Sequence, residues 1–188
     1  RYVQFVAHRR RSLTGAMSAW RLHWMRQLLA RDNRIVDSTV IANLERNVSF
    51  LASSALLIVA ALLTALAGTE QAINLLASLP FTAPTSRELW EAKILLLVVM
   101  FIYAFFQFTW SMRQYSFLSV LVGAAPPVAR GEPPPDAAVR DSFVQHAAEV
   151  ATLAAFAFNQ GLRAYYFALA VLAWLFSPVA FMIATSVV

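Results

Sequence analysis

The chain has 188 residues, of which 60% are hydrophobic and only 13% are charged. Soluble domains average about 25% charged residues, so this composition indicates an integral membrane protein rather than a soluble enzyme. The net charge of +5 would suit a nucleic-acid partner, but the basic residues lie beside apolar segments, where the orientation rule for membrane proteins accounts for them. The absence of cysteine excludes disulfides, thiolate nucleophiles and cysteine-based metal sites.

The first residues, RYVQFVAHRRR, consist of an apolar stretch followed by Arg9, Arg10 and Arg11. A signal peptide has the opposite order, with its basic residues before the apolar ones. We therefore expect this stretch to be the cytoplasmic end of a further transmembrane helix upstream, which would be the fourth of the protein.

The segment SAWRLHWMRQLLA has the spacing of an amphipathic helix. Trp20, Trp24 and Leu28 recur at intervals of four, and Met25 and Leu29 lie beside them, so the five side chains form one apolar stripe. Arginines flank this stripe. A helix with tryptophan on one side and arginine on the other can lie in the headgroup region of a membrane.

A charged stretch over residues 31–46 runs into a segment without charge, from Asn47 to Thr69. At a rise of about 1.5 Å per residue, the uncharged run is long enough to cross a bilayer core of about 30 Å. Asp32 and Asn33 predict a break and a helix N-cap. The helix that follows is expected to continue into the membrane, with these residues on one face: Ile35, Val36, Val40, Ile41, Leu44 and Val48.

Two further uncharged runs, Ile94–Met112 and Ala164–Val188, are long enough to span. Between them lie a proline-rich loop, residues 123–138, and an alanine-rich helix, Val139–Phe158, which Asn159-Gln160-Gly161 is expected to end or bend. The predicted fold class is an all-α integral membrane protein. Its three transmembrane helices form a bundle, together with cytoplasmic interfacial helices.

Arginine and lysine are distributed unevenly about these spans. Residues 1–46 carry nine, residues 70–93 carry two, residues 113–163 carry four, and residues 164–188 carry none. An excess of basic residues marks the cytoplasmic side. We therefore expect residues 1–46 and 113–163 inside the cell, and residues 70–93 and the C-terminus on the external side of the membrane.

Three stretches occur here together: RDNRIVDSTVIANLERNVSFLASSALLI, LWEAKILLLVVMFIYAFFQFTWSMRQYSF with GAAP after it, and AFNQGLRAYYFALAVLAWLFSP. From about Trp24 to Pro178 this combination resembles DUF599, a family of membrane proteins of unknown function found in bacteria and plants. The family usually has one more hydrophobic span before the part where this chain starts. The resemblance implies a small bacterial inner-membrane protein of about four spans, whose external side is the periplasm, and it implies no activity.

Basic residues at the predicted cytoplasmic end of the first span, Arg31, Arg34 and Arg46, are candidates for contact with anionic lipid headgroups or another anion. The alternative is a basic collar that only sets the topology. Arg34 and Asp37 lie one helical turn apart and can pair on a helix surface.

A second group, Arg113, Glu149, Asn159 and Arg163, is predicted near the cytoplasmic face, where these side chains are candidates for a clamp within the bundle. His146 and Glu149 have the spacing of two metal ligands on one helix face, but no second such pair completes a metal site. We therefore predict no metal.

At the external end, Arg87 can pair with Glu88 or Glu91. Lys93 can extend along the helix towards water. An ordinary helix start with acidic residues in its first turn accounts for this group.

The three predicted spans contain no Asp, Glu, Lys, Arg or His, which argues against a proton relay along them. Their neutral polar residues, Ser49, Ser53, Gln107 and Thr109, are candidates for pore lining or for close helix packing. Nucleotide-binding, hydrolase and zinc-protease motifs are missing from the sequence, so neither an enzyme nor a cofactor is predicted.

The function expected from these features is non-enzymatic. The protein would act by helix association, either as a homo-oligomer or as an accessory subunit of a membrane complex, with the lipid bilayer and other membrane subunits as partners. The alternative is an oligomeric channel or passive transporter for small ions or solutes.

Overall fold

The computed structural model describes residues 13–77, 86–126 and 136–187, and throughout these ranges the secondary structure is helical without a strand. The helices are α1 (Leu13–Leu29), α2 (Ile35–Ala67), α3 (Thr69–Ala77), α4 (Arg87–Gly123), α5 (Ala137–Phe176) and α6 (Pro178–Val187). The predicted all-α class is therefore confirmed. The predicted upstream span before Arg11 and most of the proline-rich loop lie outside the described residues.

Two of these helices, α2 and α4, are long and apolar enough to cross a membrane: they have 33 and 37 residues, and an 18-residue segment within each has a mean hydropathy of 2.4 and 2.0, respectively. The predicted span Ile94–Met112 lies inside α4, and α2 contains the first predicted span as far as Ala67. Both helices extend beyond those spans on the charged side, because neither residues 35–46 nor residues 113–122 contain glycine or proline.

The segment predicted as a third span, Ala164–Val188, is divided between two helices. α5 ends at Phe176 and α6 begins at Pro178. Proline has no amide hydrogen for the helix ladder, so it is disfavoured inside a helix but suits the first position of a new one. The Oγ of Ser177 accepts the amide hydrogen of Val179 at 3.2 Å and caps α6. A third membrane crossing stays a prediction.

α5 is one continuous helix of 40 residues, so the break predicted at Asn159-Gln160-Gly161 does not occur. Gly161 serves close packing instead. An ideal Cβ placed on it would lie 2.5 Å from Cε1 of Phe108, which leaves no room for any larger residue. Small buried residues recur along the same face of α5 at intervals of three or four: Ala147, Ala151, Ala154, Ala157, Gly161, Ala164 and Ala168.

The chain divides into two compact units, to both of which α2, α4 and α5 contribute. Unit 1 comprises Arg1–Asn47 and Ser111–Phe156, and unit 2 comprises Val48–Trp110 and Ala157–Val188. Of the 15 basic and 10 acidic residues of the chain, only six belong to unit 2: Glu70, Arg87, Glu88, Glu91, Lys93 and Arg163. The uncharged runs predicted to span the membrane therefore belong almost entirely to unit 2.

The core of unit 2 combines aliphatic side chains of α2, α4 and α5 with an aromatic cluster. Phe108 is fully buried, and its ring centroid lies 5.4 Å from that of Tyr165. The Tyr165 hydroxyl donates to the carbonyl of Leu51 at 2.8 Å. The neighbouring Tyr166, in contrast, is mainly exposed.

In unit 1, the predicted apolar faces are only partly correct. Met25 and Leu28 of α1 are fully buried inside the protein, whereas Trp20 is 64% exposed, and the predicted placement of this helix in the headgroup region stays a prediction. On α2, Ile41 is buried but Ile35, Val36 and Val40 are exposed, because the buried side of this turn is the one that carries Asp37. The inward face of α2 is thus set by a polar contact, as the next subsection describes.

Candidate functional site

The start of α2 is built from a short connection after α1. Asn33 Oδ1 accepts the amide hydrogen of Ile35 at 2.9 Å, which confirms the N-cap predicted at Asp32-Asn33. This cap marks the end of the connection, and Asp37 lies in the first turn of α2.

Asp37 is the centre of a buried polar cluster in unit 1. The residue is 1% exposed, and its Oδ1 accepts hydrogen bonds from Trp24 Nε1 at 2.6 Å and from Arg31 Nη1 at 2.7 Å. Its Oδ2 is buried without a hydrogen-bond partner. A buried carboxylate is costly unless it is paired, so the hydrogen bonds from Trp24 and Arg31 stabilise the carboxylate of Asp37 in the interior. The cluster of Trp24, Arg31 and Asp37 fastens α1 to α2.

The pair that the spacing of Arg34 and Asp37 allows does not form. Arg34 instead donates from Nη1 to the carbonyl of Ala125 at 2.8 Å and from Nη2 to the carbonyl of Pro126 at 2.6 Å. These carbonyls follow the end of α4, where the backbone acceptors lack helical donors. The planar guanidinium of Arg34 donates to both carbonyls, and the carboxylate of Asp37 pairs with Arg31 instead.

The other two arginines of the predicted anion contact keep their side chains largely at the surface. Arg31 is 44% exposed even though it pairs with Asp37. Arg46 is exposed, and beside it Glu45 accepts a hydrogen bond from Ser116 at 2.5 Å. A shallow groove of about 500 Å³ lies along the same helix, lined by Arg34, Ile35, Ser38, Thr39 and Ala42.

Arg21 was not selected from the sequence as a site residue. Its Nη1 is buried without a hydrogen-bond partner. Burial lowers the pKa of the Arg21 guanidinium from its ordinary value, and the charge interaction with Tyr115 opposes this shift. The sequence feature that could have indicated the burial of Arg21 is its position three residues before Trp24, which places both side chains on one face of α1.

The four residues of the predicted clamp are all exposed. The guanidinium of Arg113 lies 5.4 Å from the ring centre of Phe117, on its own helix. Glu149, Asn159 and Arg163 are likewise at the surface. The clamp stays a prediction. The described ranges contain no cluster of three or more potential metal ligands.

The neutral polar residues assigned to a pore or to packing belong to unit 2. Ser53 is exposed, whereas Ser49, Gln107 and Thr109 are partly buried. The Thr109 hydroxyl donates to the carbonyl of Phe105 in its own helix at 2.9 Å. This back-bonding occupies its donor, and the choice between pore and packing stays a prediction.

At the start of α4, Arg87 forms the predicted pair with Glu91 at 2.8 Å and a second one with Glu70 of α3 at 3.4 Å. Both pairs are at the surface, where ion pairs contribute little to stability. Lys93 differs from the expectation, because it is only 4% exposed and does not extend to water.

A comparison with protein families identifies the one described as protein of unknown function, DUF599, over residues 2–188. Comparisons with curated proteins and with solved structures gave no match. The family match covers nearly the whole chain and includes the helices that form both units.

Proposed function

Since this chain belongs to the DUF599 family, we propose that it is a multi-pass protein of the bacterial cytoplasmic membrane that works by helix association. It binds a second copy of itself or other membrane protein subunits, and it catalyses no reaction. Residues 1–46 lie on the cytoplasmic side, as the positive-inside rule requires.

The observation that carries the proposal is the outward face of α2 in unit 2. Ser53, Leu57, Ala60 and Thr64 follow one another on successive turns and are all exposed, Leu57 by 73%. This face is uncharged and therefore suits lipid tails or another helix. Small residues allow two helix backbones to approach closely in a membrane, and van der Waals packing then drives association. We name these four residues the α2 seam.

The basic surface of unit 1 supports membrane placement from the cytoplasmic side. Arg31 and Arg46 are exposed, and each arginine near an anionic leaflet contributes about 1 kcal/mol to binding. The groove beside Arg34 is also lined by Ile35, whose apolar side chain is exposed, so the surface combines positive charge with an apolar contact. Anionic lipid headgroups are the contact that such a surface favours.

Replacement of Ala60 by leucine is expected to dissociate the oligomer, because the larger side chain separates helices that meet along the α2 seam. We expect the fraction of associated protein to fall several-fold in counting of fluorophore bleaching steps in native membranes. Ala92→Leu, the same change at an exposed position of α4, is the matched control and is expected to leave the count unchanged. Equal counts for wild type and Ala60→Leu would contradict self-association through this seam.

Flux measurements in liposomes separate association from transport. The purified oligomer is expected to leave the ion permeability of the vesicles unchanged, because the proposed role is association between helices and requires no pore. An ohmic conductance from the protein alone would overturn this and would favour a channel lined by Ser49, Ser53, Gln107 and Thr109.

A further inference from the structure

At the boundary between α5 and α6, the backbone carbonyl of Trp174 lacks its helical donor. In a regular helix the amide of residue 178 would donate to the carbonyl of Trp174, but residue 178 is proline and has no amide hydrogen. The ladder is intact before the break, from Ser177 N to Ala173 O at 3.1 Å, and it resumes after it, from Phe181 N to Ser177 O at 3.1 Å. The Trp174 carbonyl therefore needs another donor.

Lys93 of α4 supplies that donor. Its ammonium Nζ lies 3.0 Å from the carbonyl oxygen of Trp174 and 5.1 Å from the centre of the Trp174 ring. Lys93 is 4% exposed, and no carboxylate within the described ranges pairs with it. A buried charge is costly, so the carbonyl and the ring face are the groups that stabilise it here.

The contact extends across the break to α6. The Trp174 ring stacks on Phe181, with 5.3 Å between ring centroids and an angle of 24° between the ring planes. Phe181 is a partly buried side chain packed against the core of unit 2, whereas Val179, Met182 and Ile183 on the same helix are exposed. Lys93, Trp174 and Phe181 thus connect α4, α5 and α6 in one series.

We propose that Ser177-Pro178 is a hinge between α5 and α6, and that Lys93 holds α6 in its position at this hinge. While the ammonium donates to the Trp174 carbonyl, the Trp174 ring is fixed and holds Phe181. When the contact is lost, α6 turns about the hinge and its exposed apolar face moves with it. This positioning role of Lys93 is independent of the proposed association through the α2 seam.

A double-mutant cycle tests whether the ammonium replaces the missing amide. Pro178→Ala gives the Trp174 carbonyl an amide donor, so Lys93→Met should matter less in that background. We expect Lys93→Met to accelerate unfolding about ten-fold with Pro178 present, the size expected for a hydrogen bond to a charged group. In the Pro178→Ala background the acceleration should be much smaller. Equal accelerations in the two backgrounds would overturn the proposal.

Spin labels distinguish release of α6 from general loss of stability. The chain has no cysteine, so Ile102→Cys and Thr185→Cys introduce the only two labelling sites, both at exposed positions. Lys93→Met is expected to broaden the distance distribution between these labels, while Lys93→Arg, which keeps a charged donor, is expected to keep it narrow. Arg87→Met removes an exposed cation of the same helix and should have no effect. An unchanged distance distribution in Lys93→Met would refute the proposal that Lys93 holds α6 in position.

Discussion

Replacement of Asp37 by alanine is expected to lower the free energy of unfolding by about 2 kcal/mol, because a buried hydrogen-bonded group is lost and its donors lose their acceptor. Trp24 Nε1 would lose its bond of 2.6 Å, and Arg31 its ion pair of 2.7 Å. Arg31 is 44% exposed and regains water, so most of the cost falls on Trp24 and on the space left behind. Denaturant titration in detergent micelles measures this loss.

The matched control for this change is Asp32→Ala, which removes an exposed carboxylate from the same connection. Its effect should stay within about 0.5 kcal/mol, as is usual for surface positions. Hydrogen exchange should also show faster exchange of the α1 amides in Asp37→Ala, because the cluster fastens α1 to α2. If Asp37→Ala is as stable as Asp32→Ala, the cluster does not have the role assigned to it.

Replacement of Gly161 by alanine is expected to destabilise unit 2, even though alanine is the better helix former. The added methyl would lie 2.5 to 2.8 Å from three atoms of the Phe108 ring. Phe108 is fully buried and packs against Phe158 and Tyr165, so the ring has little freedom to move. Overpacking of this kind costs about 1–3 kcal/mol, which exceeds the gain in helix propensity of about 0.5–1 kcal/mol.

Two further variants test whether contact with Phe108 causes the loss of stability in Gly161→Ala. Gly123→Ala places the same methyl where no atom lies within 4 Å, so it should be neutral or slightly stabilising. Phe108→Leu combined with Gly161→Ala shortens the opposing side chain, and the double variant should lose less stability than the sum of the single changes. A Gly161→Ala protein as stable as wild type would show that α4 and α5 are not in the close contact described.

Several parts of this fold were predictable from local pattern. The apolar runs within α2 and α4 predicted two helices that can span a membrane, and Asn33 predicted the start of α2, because length, hydropathy and capping are properties of neighbouring residues. Pairing of Arg87 with Glu91 was predictable for the same reason, since the two lie one turn apart on one helix.

Contacts between distant segments were not predictable in this way. Asp37 lies one turn from Arg34, but Arg34 binds the carbonyls of Ala125 and Pro126, which are 91 and 92 residues away in the sequence. Lys93 reaches a carbonyl 81 residues away. Gly161 looked like a helix breaker next to Asn159 and Gln160, and its role as the contact for Phe108 depends on how α4 and α5 pack. A single sequence contains no distances between helices, so such choices stay open.

Cysteine accessibility in cells tests the membrane placement of α2 most directly. Asn43, Leu57 and Glu88 are exposed in the structure, Leu57 by 73%, so any protection of residue 57 must come from lipid or from another protein. With single cysteines and an impermeant maleimide, we expect residue 88 to react in intact cells. Residue 43 should react only after permeabilisation, and residue 57 only after the membrane is dissolved. Reaction of residue 57 as readily as residue 43 would contradict a membrane-spanning α2, and reaction of residue 43 with protection of residue 88 in intact cells would invert the topology.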